Sequence, residues 1–79
     1  MTTQFIFAPY TYKVVEEDII LKIEVWENNK HLANAHYDQD LQILAMSFPD
    51  EYASDVEFHA TLYNLIEDDI IVIADEINQ

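Results

Sequence analysis

The chain has 79 residues, and its 16 acidic side chains face only 3 lysines and no arginine, a formal net charge of −13. That length allows one domain, and that charge excludes a basic nucleic-acid-binding module, because nothing here could neutralise phosphates. Without cysteine there is no disulfide scaffold and no cysteine–zinc site. An apolar fraction of 51%, arranged in blocks, argues against a disordered chain.

Taken in order, Gln4–Ala8 reads as a strand with Phe5 and Phe7 on one face, broken or bent at Pro9. Tyr10, Tyr12 and Val14 continue the alternation, and Glu16-Glu17-Asp18 makes a charged turn. The clearest strand is Ile19–Glu27, where Ile19, Leu21, Ile23 and Val25 share one face and Ile20, Lys22, Glu24 and Trp26 the other. A three-residue loop, Asn28-Asn29-Lys30, then leads into a strand over His31–Asp38. That loop length sets Val25 against Ala33, Ile23 against Ala35 and Leu21 against Tyr37. A two-residue loop would instead set Val25 against Leu32 and Ile23 against Asn34, mixing polar with apolar side chains.

Leu41, Leu44, Ala45 and Phe48 fit a helical spacing, so Leu41–Phe48 is read as a short helix ended by Pro49. As a strand it would be apolar on both faces. A second helix opens at Ser54-Asp55-Val56-Glu57, which has the spacing of a capping box, and Val56, His59, Ala60, Tyr63 and Ile66 form its stripe. Ile70–Ala74, short and largely β-branched, reads as a strand covered on both faces, and Asp75–Gln79 as a fraying tail. The expected fold is α+β in a single domain over residues 1–79. It has a mainly antiparallel sheet, a three-stranded N-terminal meander plus a C-terminal strand, with one or two helices on one face.

No motif carries catalytic chemistry. Ser54 is explained as a helix cap, and a glycine-free chain has neither a phosphate cradle nor a nucleophile elbow. Asp38-x-Asp40 offers oxygen ligands for calcium or magnesium, but the glycine of a calcium loop is missing. His31, His36 and His59 lack metal-ligand spacing. The expectation is therefore no enzyme, no metal and no cofactor.

The acids themselves are the anomaly, because interspersed lysines are nearly missing. Acids at the start of the second helix suit its positive end, whereas Glu67-Asp68-Asp69, placed near its negative end, break the local preference. Thirteen charges match about 22 Å of duplex DNA, on a domain about 30 Å across. These features point to Glu16, Glu17, Asp18, Glu67, Asp68 and Asp69 as stand-ins for phosphates, with outward-facing Trp26 as an apolar anchor.

In size, acidity and poverty of motifs the chain resembles the small phage-encoded DNA-mimic and anti-defence inhibitors, among them anti-CRISPR and anti-restriction proteins. The resemblance is one of composition and carries no residue correspondence. It implies a viral, non-enzymatic inhibitor that binds the basic nucleic-acid-binding surface of a protein or nuclease complex, and neither nucleic acid directly nor a membrane. The alternatives are an immunity or antitoxin-type protein that neutralises a basic toxin, and a structural or adaptor homodimer using the Trp26 face. The start Met1-Thr2-Thr3-Gln4 lacks the basic region of a signal peptide, and no apolar run spans a bilayer. A cytoplasmic location is expected, in the host cell if the protein is phage-encoded.

Overall fold

A computed structural model describes residues 2–79. Five strands run in chain order: β1 (Thr2–Phe7), β2 (Tyr10–Glu17), β3 (Ile20–Glu27), β4 (Lys30–Asp38) and β5 (Ile43–Ser47). A 3-10 turn at Asp50–Tyr52 leads to one helix, α1 (Val56–Ile77). The strands pair antiparallel with their sequence neighbours, so the sheet is an unbroken meander with β1 and β5 at its edges. The α+β class agrees with the sequence reading; its details do not.

At Pro9 the chain reverses rather than bends. Phe7 pairs with Tyr10 across the cis Ala8–Pro9 bond, so of the two outcomes expected at Pro9 the strand is broken, and the three-stranded meander gains a strand. Glu16 and Glu17 end β2, and only Asp18 and Ile19 form the turn; Ile19, expected on the core face, is exposed there. The β3–β4 loop is two residues, because Glu27 pairs with Lys30. The expected deeper register nevertheless holds, with Val25 opposite Ala33 and Ile23 opposite Ala35. A bulge reconciles the two: Trp26 faces His31, and Leu32 is the extra residue on β4, buried beside Ala33. The polar–apolar mismatch that argued against a two-residue loop is thereby removed.

Two segments change type. Leu41–Phe48 is not a helix: Ile43–Ser47 is an edge strand whose side chains alternate between exposed and half-buried. Its helical spacing arises because Leu44 and Phe48 face the core from a strand and from the segment after it. Ile70–Ala74 is not a strand but the middle of α1. Leu62, Ile66, Ile70 and Ile73, spaced by four, four and three, are the helix's buried stripe, so burial of this face overrides β-propensity. Each such side chain contributes about 1.5–3 kcal/mol when fully buried. The cap is Asp55 rather than Ser54, its carboxylate accepting from the Phe58 N–H at 3.1 Å. In the expected stripe, Ile66 is buried and His59 and Tyr63 half-buried, but Val56 and Ala60 are exposed. The tail does not fray at Asp75; helix continues to Ile77, capped by Asn78.

One core joins the two layers. Tyr12, Val14, Leu21, Ile23, Val25, Ala33 and Ala35 rise from one face of the sheet to meet the helical stripe. Among the described residues no helix covers the opposite face. It carries Ile6, Thr11, Lys13, Val15, Lys22, Glu24, Trp26 and His36, the residues that alternate with the core positions.

Candidate functional site

Sixteen carboxylates and three ammonium groups dominate the surface. All three lysines are engaged. Lys22 pairs with Glu17 at 2.9 Å, Lys30 with Glu51 at 3.6 Å, and Lys13 lies 4.5 Å above the Trp26 ring. The Lys22 contact holds the Glu17 carboxyl below its usual range. The Tyr52 hydroxyl, with Glu51 beyond it, holds the Lys30 ammonium above its own. Among the described residues 14 of the 16 acids have no ion-pair partner.

Placement is as uneven as pairing. Residues 31–79 hold 11 of the acids and no lysine, whereas residues 1–30 hold all three lysines and five acids. Within α1 are six carboxylates, Glu57, Glu67, Asp68, Asp69, Asp75 and Glu76, and no lysine. All except Asp69 are exposed.

The candidates expected from sequence do not share one face. Glu67-Asp68-Asp69 lies mid-helix, where consecutive residues point about 100° apart. Glu67 looks toward β4 and β5, Asp68 outward, and Asp69 back to the sheet, where the Tyr12 hydroxyl donates to its Oδ2 at 2.5 Å. Tyr12 is fully buried, and that burial, reinforced by the Asp69 carboxylate, pushes its hydroxyl pKa far above the ordinary value. Asp69 therefore works as a tie between helix and sheet. Glu16, Glu17 and Asp18 are exposed at the far end of β2 and its turn, Glu17 already held by Lys22. Trp26 lies half-buried on the open sheet face, its indole N–H donating to Glu24 at 2.9 Å and its ring 5.0 Å from that of His31.

Two features were missed. Asp75 and Glu76, assigned to a tail, occupy the last helical turn, which has no basic residue, so the break with the dipole preference falls on this pair. The Ile66, Ile70, Ile73, Ile77 spacing was the signal that could have placed them. The second is a groove of about 480 Å³ between α1 and the β4–β5 hairpin, lined in part by Tyr37, Leu44, Tyr63, Glu67, Ile71 and Asp75. Tyr37 and Leu44 face each other across the hairpin, and the Tyr63 hydroxyl donates to the Leu44 carbonyl at 3.4 Å, fixing the groove's walls together.

Other polar groups are accounted for locally. The Asp38 carboxylate accepts from the N–H groups of Asp40 and Leu41 at 2.9 and 3.0 Å, as in a turn. The His59 ring stacks on Phe48 and donates to the Tyr52 carbonyl at 2.6 Å. No group of three metal-ligating side chains converges among the described residues, and no helix there is long and apolar enough to cross a membrane. No protein-family model, curated protein or solved structure matches the chain.

Proposed function

We propose that the chain is a non-enzymatic, stoichiometric binder that occupies the basic nucleic-acid-binding surface of a protein partner and blocks it, in the manner of a DNA mimic. The observation that carries this reading is the segregation of charge. An acidity serving solubility alone would be spread over both layers, with lysines interspersed. Here the helix and the turn before it carry eight of the 14 carboxylates outside ion pairs and no lysine of their own, while Lys13 and Lys22 lie on the opposite face. A field of one sign on one side speeds and orients encounter with a cationic surface. Its potential extends over roughly a Debye length, about 8 Å at physiological salt.

Capture on the immobilised chain at low salt tests the reading. The expected partner binds nucleic acid, is displaced by duplex DNA or RNA as competitor, and is lost steeply as salt rises. The variant carrying Glu67→Gln, Asp68→Asn, Asp75→Asn and Glu76→Gln should lose it, while Glu16→Gln with Asp18→Asn should retain most of the binding. Partners that resist both salt and polyanion would overturn the proposal.

A further inference from the structure

Resting on the charge reading above, we infer that the groove between α1 and the β4–β5 hairpin receives an extended segment of the basic partner in the order basic–x–apolar–x–basic. Several of the groove's own hydrogen-bond donors are spent. The Asn78 amide donates to Gln39 at 2.7 Å and to the Ala74 carbonyl at 2.9 Å, and Tyr63 donates to Leu44. What faces outward is a pair of carboxylates, Glu67 and Asp75, with neither in an ion pair. Between them lies Ile71, 59% exposed, opposite the half-buried Leu44 and Tyr37. Acceptors without cations at both ends and an uncovered apolar wall in the middle specify the complement: two cations flanking one apolar group.

Spacing selects the conformation. Glu67 and Asp75 are eight residues apart, about 12 Å along the helix axis. In an extended chain, residues four apart are separated by about 13 Å and point to the same side, as does the residue midway between them. Three side chains projecting from one face of an extended segment therefore match the Glu67–Ile71–Asp75 row in spacing and in order. The two tyrosine rings lining the groove also suit guanidinium groups over ammonium groups.

Two synthetic peptides of equal composition and charge, acetyl-Arg-Ser-Leu-Ser-Arg-amide and acetyl-Arg-Arg-Leu-Ser-Ser-amide, test this by titration into the ¹⁵N-labelled protein at low salt. The in-register peptide should bind about tenfold tighter, the gain expected from burying one leucine side chain in part, and should shift the amides of Ile71, Leu44 and Tyr63. Ile71→Ser, at an exposed position that leaves the core intact, should erase the preference and leave the weaker binding common to both peptides. Equal affinity of the two peptides for the unmodified protein, or shifts centred on Glu57 and Asp68, would overturn the groove assignment while leaving the charge reading standing. If neither peptide nor polylysine binds at low salt, both fall together.

Discussion

The two faces of this molecule are built from the same chain on opposite electrostatic plans. On the open face of the sheet the lysines are answered by acids: Lys13 lies opposite Glu24, and Lys22, between Val15 and His36, is bonded to Glu17. On the helix, six carboxylates have no lysine within the element. The sheet face is ordinary protein surface, in which each lysine has a partner and Trp26 is held by Glu24, Lys13 and His31. The helix departs from that plan in the turn where departure costs most, since Asp75 and Glu76 stand at the negative end of the dipole. The comparison locates the charge excess that composition alone leaves unplaced, and it makes the contrast between faces something that can be broken experimentally.

The largest effect is expected where the two layers are tied together. Tyr12→Phe removes the hydroxyl that Asp69 accepts from and leaves a half-buried carboxylate short of a partner, at a cost of about 1–3 kcal/mol. Changing both residues, Tyr12→Phe with Asp69→Leu, should cost less than the two single changes together, because no polar group is then left unpaired. The same tie predicts alkaline sensitivity. The folded-state pKa of Tyr12 lies above its unfolded value of 10. Its contribution is therefore complete below pH 10 and is lost as the pH rises beyond it, since ionisation first favours the unfolded chain. Absorbance at 295 nm should show the Tyr12 phenolate only as the protein unfolds, and Tyr12→Phe should shift the alkaline unfolding midpoint upward relative to its own stability at pH 7.

Opposite signs are expected for the same chemical change on the two faces. Asp75→Asn and Glu76→Gln relieve repulsion from the helix C-terminus and should each stabilise by about 0.3–1 kcal/mol. Glu17→Gln breaks the pair with Lys22 and should destabilise. Thermal melts at low and moderate salt check both directions. The unmodified protein should melt higher as salt screens its 13 excess charges, and the helix double variant should respond less. A helix double variant that melts lower than the parent at low salt would remove the electrostatic distinction between the faces.

Legibility in the sequence followed physical scale. Alternation in Tyr10–Val14 and in Ile19–Glu27 is local, and strands lie over both except at Ile19, which falls in the turn. The β3–β4 register was legible from parity, although the device that achieves it, the Leu32 bulge, was not, because a bulge changes the count without changing the polarity pattern. The second half of α1 was misread because Ile70-Ile71-Val72-Ile73 is a strand by propensity and a helix only by its long-range stripe with Leu62 and Ile66. That one error hid the site: with the helix ended too soon, Glu67–Asp69 looked terminal and Asp75–Glu76 looked frayed. The groove was beyond reach, since it joins residues from β4, β5 and α1 whose proximity only the packed sheet creates.

The smallest effect concerns the loop that joins those walls. A chain without glycine must still reverse direction, and it does so with left-handed residues at Asp18, Asn28 and Gln42, with φ of 56°, 58° and 57°. Asp and Asn tolerate this region through local hydrogen bonding, but a glutamine side chain gains nothing comparable. The left-handed conformation costs an ordinary residue about 1–2 kcal/mol, of which glycine's greater unfolded-state entropy would return about 0.5–1 kcal/mol. Gln42→Gly should therefore stabilise by about 0.5 kcal/mol, raising the melting temperature by about 2–4 °C in a domain of this size. Asn28→Gly, where the side chain already suits the conformation, should change it by less. A melting temperature that stays level or falls in Gln42→Gly would show that the left-handed glutamine carries no such cost in this turn.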